Sequence, residues 1–537
     1  MGFAPSETHM GSQELEGKAR PMAEDDASSA AAAAALQDGM EAHKKGRLEE
    51  ADACYLRALD ALGLSLPHST SENLQPDRLP TASAALAEAL HLLGAVRLQR
   101  FKHAIRNDCD GDSEDEGETS SCSPEVTVAV SLLRCAISSL PASTSTGERG
   151  RQLATLGISL LSQARRECDF EEAAVTLREA CRLDPHRFSA CFGLARAAAQ
   201  LRAIASRQDR EEDEASYERE RIVALRNAHR LRADHPGVLY RLGTAIKEDH
   251  PQEAIQLLER YIELASGSSR AADDEVAQNT KRVVKWKVAA VQHWLAVLRG
   301  ERSTTAPAEY VAGLFDSYAD RFDEHLVEKL GYRTPQLLAD EIRSIADVVT
   351  SGTHGAEFPF RRCADLGCGT GLMGPLLKEL GVEYLEGVDL SEGMLSKATG
   401  RGYNRLMCGD LLKVFSHEAE SGSRATEAPS CDGSFDLVVA ADVFVYVGDL
   451  APVLAKIARG LARPHGVAAF STEAPPRAGS ANEAAGDVPP GSFRLADTGR
   501  YLHSASYVRS TAEAAGLALA TRKSVTLRYN GGKPVYG

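Results

Sequence analysis

Residues 363–374 read CADLGCGTGLMG, and residues 385–390 read LEGVDL. The first stretch places Gly367, Gly369 and Gly371 directly after a short apolar run, and the second ends an apolar run on an acidic residue. Glycine lets a backbone approach a ligand closely, and a helix that begins after such a turn offers free amide groups. The two stretches together therefore predict a site for a nucleotide-like cofactor.

Predicted strands and helices alternate around these stretches. The strands are expected at 362–366, 382–389, 404–408, 435–440 and 467–471, and the helices between them at 373–380, 391–399 and 453–461. Such alternation predicts a parallel sheet with helices on both faces. Ligands of these sheets lie beyond the carboxyl ends of the strands, beside the first strand, and the glycine turn falls there.

Three acidic residues around the turn bear on which cofactor it holds. Asp389 follows Gly371 at about the spacing expected of an acid that binds a ribose diol. Dinucleotide enzymes generally show G-x-G-x-x-G, whereas this chain has G-x-G-x-G. Asp365 would repel a pyrophosphate but pair with an ammonium group, and Asp410 could accept a hydrogen bond from an adenine amine. We therefore expect S-adenosylmethionine rather than a nicotinamide dinucleotide.

Four motifs in this half of the chain carry a family resemblance. They are DLGCGTG (365–371), VDLS (388–391), GDL (409–411) and FDLVVAADVFVYV (435–447). In these motifs the chain resembles the class I S-adenosylmethionine-dependent methyltransferases, and it looks closest to predicted methyltransferases that contain tetratricopeptide repeats. The segments 314–335 and 499–508 also resemble that group, so the resemblance covers most of 308–536.

The resemblance implies a set of cofactor-binding residues. They are Asp365, Gly367, Cys368, Gly369, Thr370 and Gly371 around the methionine part, Asp389, Leu390 and Met394 near the ribose, Asp410 and Leu411 at the adenine, and Asp442 and Val443 on the far wall. Tyr318, with Arg321, is expected to close over the cofactor as part of a lid. Asp442 could instead cap a helix, and Cys368 is interpreted as a small filler residue rather than a nucleophile.

Catalysis of methyl transfer depends mainly on the orientation of the acceptor, because the methyl carbon is already activated. An oxygen or nitrogen acceptor could also need a base, and the candidates are Tyr446 and His503. A histidine that only packs or donates a hydrogen bond is the alternative for His503. No metal site is predicted, because the cysteines form no CxxC pair.

The first half of the chain predicts helices in pairs. Apolar residues recur at three- and four-residue spacing in 39–63, 168–185 and 237–264, with small residues where helices would cross. This pattern resembles the tetratricopeptide repeat, and a generic helical bundle is the alternative. We expect a polar, disordered tail over 1–35 and a repeat domain over 36–300, in which 276–300 is a capping helix. Charged insertions are expected at 106–125 and 206–220.

The composition restricts the kinds of partner and the cellular compartment that we expect. The formal net charge of −15 argues against nucleic acid, and no apolar run approaches the length that spans a bilayer. The 11 scattered cysteines point to reduced thiols, and hence to an intracellular, cytoplasmic location. The last residues, LRYNGGKPVYG, stand where the family continues into a final antiparallel strand, so that strand is very short here or the sequence is a fragment.

The sequence therefore predicts a multidomain protein. An N-terminal all-α, tetratricopeptide-like array precedes a C-terminal α/β, Rossmann-like methyltransferase domain over 308–537. The predicted function is methyl transfer from S-adenosylmethionine to an unidentified acceptor, and the repeats are expected to dock a protein, a peptide or the substrate. Two alternatives stay open: a repeat scaffold whose Rossmann-like domain is only structural, and a nicotinamide-dependent oxidoreductase.

Overall fold

The computed structural model describes residues 26–64, 84–108, 124–267, 275–324, 331–350, 359–411, 433–475, 488–530 and 533–537. These residues form two compact units, which divide between Ala245 and Ile246. Most of the predicted tail (1–25) and most of the first predicted insertion (109–123) lie outside the described residues. None of the helices in the described part of the chain is long and apolar enough to cross a membrane.

The N-terminal unit consists of helices. They are α1 (Asp26–Lys44), α2 (Leu48–Ala61), α3 (Ala84–Asp108), α4 (Pro124–Ser138), α5 (Thr146–Gln163), α6 (Glu167–Leu183), α7 (Phe188–Arg207), α8 (Glu211–Leu231) and α9 (Pro236–Ile246). From α1 to α8, each helix packs on the next helix of the chain. In a helical repeat array, each unit contacts its neighbours in sequence. The observed contacts therefore confirm the fold class predicted for this half.

Small residues let these helices approach each other closely. A Cβ atom at Gly39 of α1 would lie 2.5 Å from Tyr55 of α2, and one at Gly157 of α5 would lie 2.5 Å from Leu177 of α6. Tyr55 and Leu177 are both fully buried. A larger residue at either glycine would therefore push the paired helices apart.

Two predictions for this half need correction. Helix α1 begins at Asp26, inside the predicted tail of 1–35, because its alanine run has the highest helix propensity and Ala32 is buried. Residues 211–220 were predicted as part of a charged insertion, but they form the start of α8. Ion pairs join this segment to other helices, as between Arg178 of α6 and Glu220 at 2.7 Å.

The C-terminal unit combines helices and strands. Its helices are α10 (Pro251–Gly267), α11 (Glu275–Arg299), α12 (Ala308–Asp316), α13 (Thr334–Thr350), α14 (Met373–Leu380), α15 (Glu392–Ala398), α16 (Ala451–Gly460) and α17 (Ala505–Ala514). Its strands are β1 (Arg362–Leu366), β2 (Tyr384–Asp389), β3 (Arg405–Cys408), β4 (Leu437–Ala440), β5 (Val467–Phe470), β6 (Phe493–Leu495), β7 (Tyr501–His503), β8 (Thr526–Asn530) and β9 (Lys533–Tyr536).

Five strands form one parallel sheet in the order β3-β2-β1-β4-β5. Helices cover both faces: Ile342 and Leu377 pack on one side, and Leu454 and Ile457 on the other. The sheet confirms the predicted Rossmann-like fold. The order of strands reverses beside β1, so the crevice beyond the carboxyl ends of β1 and β4 is the place for a ligand.

Two short antiparallel pairs accompany this sheet. Strand β6 pairs with β7, and β8 pairs with β9 at the end of the chain. The final residues therefore form a hairpin of their own rather than a strand added to the five-stranded sheet.

Helix α11 belongs to the C-terminal unit. Trp286 of α11 packs against α12, where a Cβ atom at Gly313 would lie 2.7 Å from the indole ring. Ala289 and Ala290 share a buried cluster with Tyr310 and Tyr501. The two compact units divide before α10, and the apolar face of α11 is buried against α12 within the C-terminal unit. The domain boundaries given by the sequence remain a prediction.

Candidate active site

The glycine turn follows β1 with a backbone that only glycine adopts readily. Gly367, Gly369 and Gly371 have φ angles of 66°, 55° and 88°. A Cβ atom at Gly367 would lie 2.5 Å from Val443, so no side chain fits there. A Cβ atom at Gly369 would meet nothing within 4 Å, because this residue borders a cavity. The turn therefore keeps space free for a ligand against its backbone.

Asp389, at the end of β2, connects the glycine turn to the start of α15. Its Oδ2 accepts a hydrogen bond from the amide of Gly369 at 2.9 Å, and its Oδ1 accepts one from the amide of Ser391 at 2.9 Å. Burial raises the pKa of the Asp389 carboxyl, and these amides oppose the rise. Asp389 also lines the cavity. Each oxygen keeps a lone pair that could accept from a vicinal diol.

Asp365 lies under the turn and is not part of the cavity wall. Its Oδ2 accepts a hydrogen bond from the hydroxyl of Tyr403 at 2.7 Å. Its Oδ1 is buried and has no partner within the described residues. Burial raises the pKa of Asp365 to about 7. The predicted pairing of Asp365 with an ammonium group stays a prediction, and the orphaned oxygen leaves room for one more donor.

Asp316, at the end of α12, binds the loop that follows β2. The Oδ1 atom of Asp316 accepts hydrogen bonds from the hydroxyl of Ser391 at 2.6 Å and from the amide of Gly393 at 3.1 Å. Ser391 in turn caps α15 by accepting from the amide of Met394. The end of α12 is therefore held against the first turn of α15.

The residues after α12 are fastened to the glycine turn through Asp323. This carboxylate accepts hydrogen bonds from the hydroxyl of Thr370 and from the guanidinium of Arg401, the latter at 2.6 Å. Tyr318, between the two anchoring acids, lines the cavity. Residues 316–323, called the cover below, are thus held beside the glycine turn, and their role as a lid stays a prediction.

Beyond β4 a chain of buried charges borders the cavity. Asp442 has a φ angle of 56° and accepts a hydrogen bond from Arg528 at 3.0 Å. Arg528 also donates to Glu473, which lies 3.4 Å from Arg500. The side chains of Arg528 and Glu473 are only 6% and 5% exposed. A non-glycine residue with positive φ is strained, so the contacts of Asp442 must hold it in place.

These elements surround a cavity of about 1390 Å³. The predicted residues that line it are Tyr318, Gly367, Gly369, Asp389, Leu390, Asp410, Leu411, Asp442, Val443 and Tyr446. A single small ligand commonly occupies about 300–1,000 Å³. The cavity therefore has room for a cofactor and a second molecule.

Other predicted residues lie behind the wall. Met394 is fully buried, Gly371 packs against Tyr403, and Thr370 binds Asp323. Cys368 is buried too, and burial raises the pKa of its thiol, which suits a filler residue better than a nucleophile.

The structure places His503 outside the cavity wall. The ring is buried on β7, and its Nε2 lies 2.9 Å from the carbonyl oxygen of Val447 and 3.1 Å from that of Gly448. Nε2 must carry a proton to donate to these oxygens, and Nδ1 is buried without a partner in the described residues. This geometry favours the alternative role, that of a hydrogen-bonding residue, over a base. Tyr446, the other candidate, does line the cavity.

Sequence reasoning missed several residues of the wall. They are Trp294, Tyr332, Arg500 and Arg528, together with Glu473 behind them. No spacing pattern marks these residues. The one available signal is a charged residue inside an apolar strand, as for Arg528 in TLRYN (526–530).

The comparisons with known proteins agree with this geometry. Residues 364–470 match a family model described as a methyltransferase domain. The matched segment runs from β1 to β5 and so contains the glycine turn, Asp389 and Asp442. No curated protein matches the chain.

Solved structures resemble each half of the chain. An S-adenosylmethionine-dependent methyltransferase from Mesorhizobium loti is 25% identical, with 35% of this chain and 87% of that chain covered and a TM-score of 0.25. Magnesium protoporphyrin IX methyltransferase from Synechocystis, solved with bound S-adenosylhomocysteine, is 19% identical over 43% and 96% of the two chains, with a TM-score of 0.28. YrrB, a tetratricopeptide protein with a peptide-binding site, is 14% identical over 46% and 90%, with a TM-score of 0.25.

The family match shows that residues 364–470 form a methyltransferase domain. Its cofactor is S-adenosylmethionine, and the protein is a methyltransferase. The residues present fit this cofactor: Gly369 leaves open space beside its backbone, and Asp389 has acceptor capacity left in the cavity wall.

Proposed function

We propose that the protein transfers the methyl group of S-adenosylmethionine to an acceptor that enters the outer part of the cavity. The observation that carries this proposal is the hydrogen bond between Gly369 and Asp389 at the edge of a cavity larger than one ligand needs. An intact turn with its acid in place argues against a merely structural domain. The acid excess of the wall argues against a dinucleotide and its phosphates.

The residues of the inner cavity bind and orient the cofactor, which supplies an activated methyl group when bound. Asp389 would accept hydrogen bonds from the ribose hydroxyls, and Asp410 with Leu411 would border the adenine. The backbone at Gly367 and Gly369 would lie along the methionine part. Charge-assisted hydrogen bonds of this kind each contribute about 1.5–3 kcal/mol.

Residues of the cover and the outer wall orient the acceptor and exclude water. Asp316 binds Ser391 in the loop after β2, and Asp323 binds Arg401 and Thr370, so the two acids hold the cover in place. The ring of Tyr446 packs edge-on against Phe315 of α12 at 5.6 Å between centroids, so it is fixed in the wall. We assign Tyr446 the role of positioning the acceptor. Orientation of this kind can contribute about 7–11 kcal/mol to lowering a barrier.

We further propose that the repeat unit docks a protein or peptide. A second cavity, of about 550 Å³, is lined by Phe188, Phe192, Arg196 and Arg232 in this unit. The guanidinium of Arg232 lies 4.4 Å from the centre of the Phe188 ring. Aromatic rings beside cationic groups suit an acidic or aromatic peptide side chain. A Phe192→Ala, Arg196→Glu double variant should lose this docking while its cofactor binding is unchanged.

The test is incubation of a cell extract with the full-length protein and methyl-labelled S-adenosylmethionine. Label should enter an acceptor well above the level given by an Asp389→Asn variant, and separation of protein from small molecules tells which class carries it. Equal label from the two proteins would overturn the proposal, provided that both melt in a single sharp transition. A loss of protein label in the docking double variant would support the role of the repeats.

A further inference from the structure

Several aromatic rings belong to the cavity wall. Tyr310, Phe315, Tyr446 and Trp294 all line the cavity that the glycine turn borders. Tyr310 is buried and stacks on His293, and Phe315 packs on Tyr446, so these rings are held rigidly. A ring face attracts a cation by about 0.5–2 kcal/mol.

The same wall has an excess of carboxylates. Its acidic residues are Glu248, Asp389, Asp410, Asp442, Asp449 and Asp497, against the cationic residues Lys247, Arg500 and Arg528. Both guanidinium groups are already paired: Arg528 with Asp442, and Arg500 with Glu473. In the described part of the chain Asp449 and Asp497 have no cationic partner. With the cofactor bound at Asp389 and Asp410, these two carboxylates remain unbalanced.

An ammonium group already rests on this wall. The Nζ atom of Lys247 lies 3.8 Å from the centre of the Trp294 ring, and both residues line the cavity. Lys247 lies 3.5 Å from the carboxylate of Glu248, which is exposed. The wall thus accommodates one primary ammonium against an indole face and a carboxylate.

We propose that the methyl acceptor is a primary or secondary amine, which enters the outer cavity as an ammonium ion. This inference rests on the proposed function and names the class of its second substrate. The ammonium would lie between the aromatic rings and the unbalanced carboxylates Asp449 and Asp497. An anionic acceptor would meet these carboxylates and would find both guanidinium groups occupied, so it is disfavoured.

Methyl transfer to such an acceptor also releases one proton. The ammonium loses one proton to water and becomes a neutral amine with a free lone pair. The nitrogen then forms a bond to the methyl carbon, while the electron pair of the carbon–sulfur bond stays on sulfur. The products are a methylated ammonium ion, S-adenosylhomocysteine and the released proton.

Three probes of one shape test the class of acceptor: 2-phenylethylamine, 2-phenylethanol and 3-phenylpropionate. Each is titrated by calorimetry into the full-length protein saturated with S-adenosylhomocysteine. The amine should bind at least ten times more tightly than the alcohol, and the carboxylate should bind more weakly still. Equal affinity of amine and alcohol, tightest binding of the carboxylate, or binding of none of the three would overturn the inference.

A variant that removes one carboxylate tests whether its charge causes the preference for the amine. Asp497→Asn should lower the affinity for the amine about tenfold and leave that for the alcohol unchanged. Asp340→Asn, in which an exposed acid on α13 is changed, is the matched control and should change neither. Failure of S-adenosylhomocysteine to bind would count against the proposed function itself. Binding of that ligand without a preference for the amine would count against the acceptor class alone.

Discussion

The Oδ2 atom of Asp389 accepts a hydrogen bond from the amide of Gly369 at 2.9 Å, which joins the end of β2 to the turn after β1. The two residues belong to adjacent parallel strands, whose carboxyl ends meet at the edge of the cavity. One residue provides an open backbone and the other an acceptor for hydroxyl groups. The cofactor assignment depends on both features, so each can be tested separately.

Gly369→Ala should weaken the binding of S-adenosylhomocysteine more than tenfold, because the new methyl group would project into the cavity. The positive φ angle also costs about 1–2 kcal/mol of stability. Gly46→Ala is the matched control, since Gly46 has a φ angle of 74° and equally open surroundings but lies in the repeat unit. Calorimetry and thermal unfolding separate the two effects. Equal affinities in both variants would contradict the predicted position of the cofactor.

Asp323→Ala should release the cover from the glycine turn, because Thr370 and Arg401 lose their common acceptor. We expect a several-fold faster dissociation of S-adenosylhomocysteine and a loss of about 1 kcal/mol of stability, since the ion pair is only partly buried. Stopped-flow displacement measures the rate. Asp320→Ala is the control, because the side chain of Asp320 is 86% exposed. An unchanged rate in the Asp323 variant would show that the cover does not retain the ligand.

Asp365→Asn should flatten the dependence of stability on pH. Burial raises the pKa of Asp365 to about 7, so between about pH 4 and pH 7 the folded carboxyl keeps a proton that the unfolded one has lost. The wild-type protein therefore loses stability as pH rises through this range. The variant lacks this loss, which should amount to roughly 2–4 kcal/mol. Urea unfolding at pH 4.5 and 7.5 measures this loss, with Asp340→Asn as the control. The same change in the free energy of unfolding for the wild type and both variants would refute the prediction.

Arg528→Met should destabilise the C-terminal unit by about 3–5 kcal/mol, because Asp442 and Glu473 would be left buried without their shared cation. Adding Glu473→Gln should restore part of this stability by removing a buried charge whose remaining cation, Arg500, lies 3.4 Å away. Denaturant unfolding of the three proteins forms the test. A double variant less stable than Arg528→Met would show that Glu473 serves mainly Arg500.

The parts of the fold that the sequence predicts well depend on local patterns. Strand β1 and helix α14 have the bounds predicted for them, because an apolar run, a glycine turn and an amphipathic helix follow each other directly. The positions of Asp389 and Asp410 beside the cavity follow as well, since parallel strands bring their carboxyl ends together.

The parts that the sequence does not predict depend on contacts between distant residues. Arg500 and Glu473 are 27 positions apart, and no pattern in the sequence around either residue indicates that they meet. His503 lies in a segment that resembles the family, but the pairing of β6 with β7 buries its ring beside two carbonyl oxygens. Trp294 lies on a helix assigned to the repeats, and only the packing of α11 on α12 brings it to the cavity.

Calorimetric titration of the full-length protein with S-adenosylhomocysteine, and separately with NAD, tests the central claim most directly. We predict saturable binding of S-adenosylhomocysteine at one site per chain, at least tenfold weaker binding in Asp389→Asn, and no binding of NAD. Binding of NAD that Asp389→Asn weakens, or no heat with S-adenosylhomocysteine in a folded protein, would contradict it.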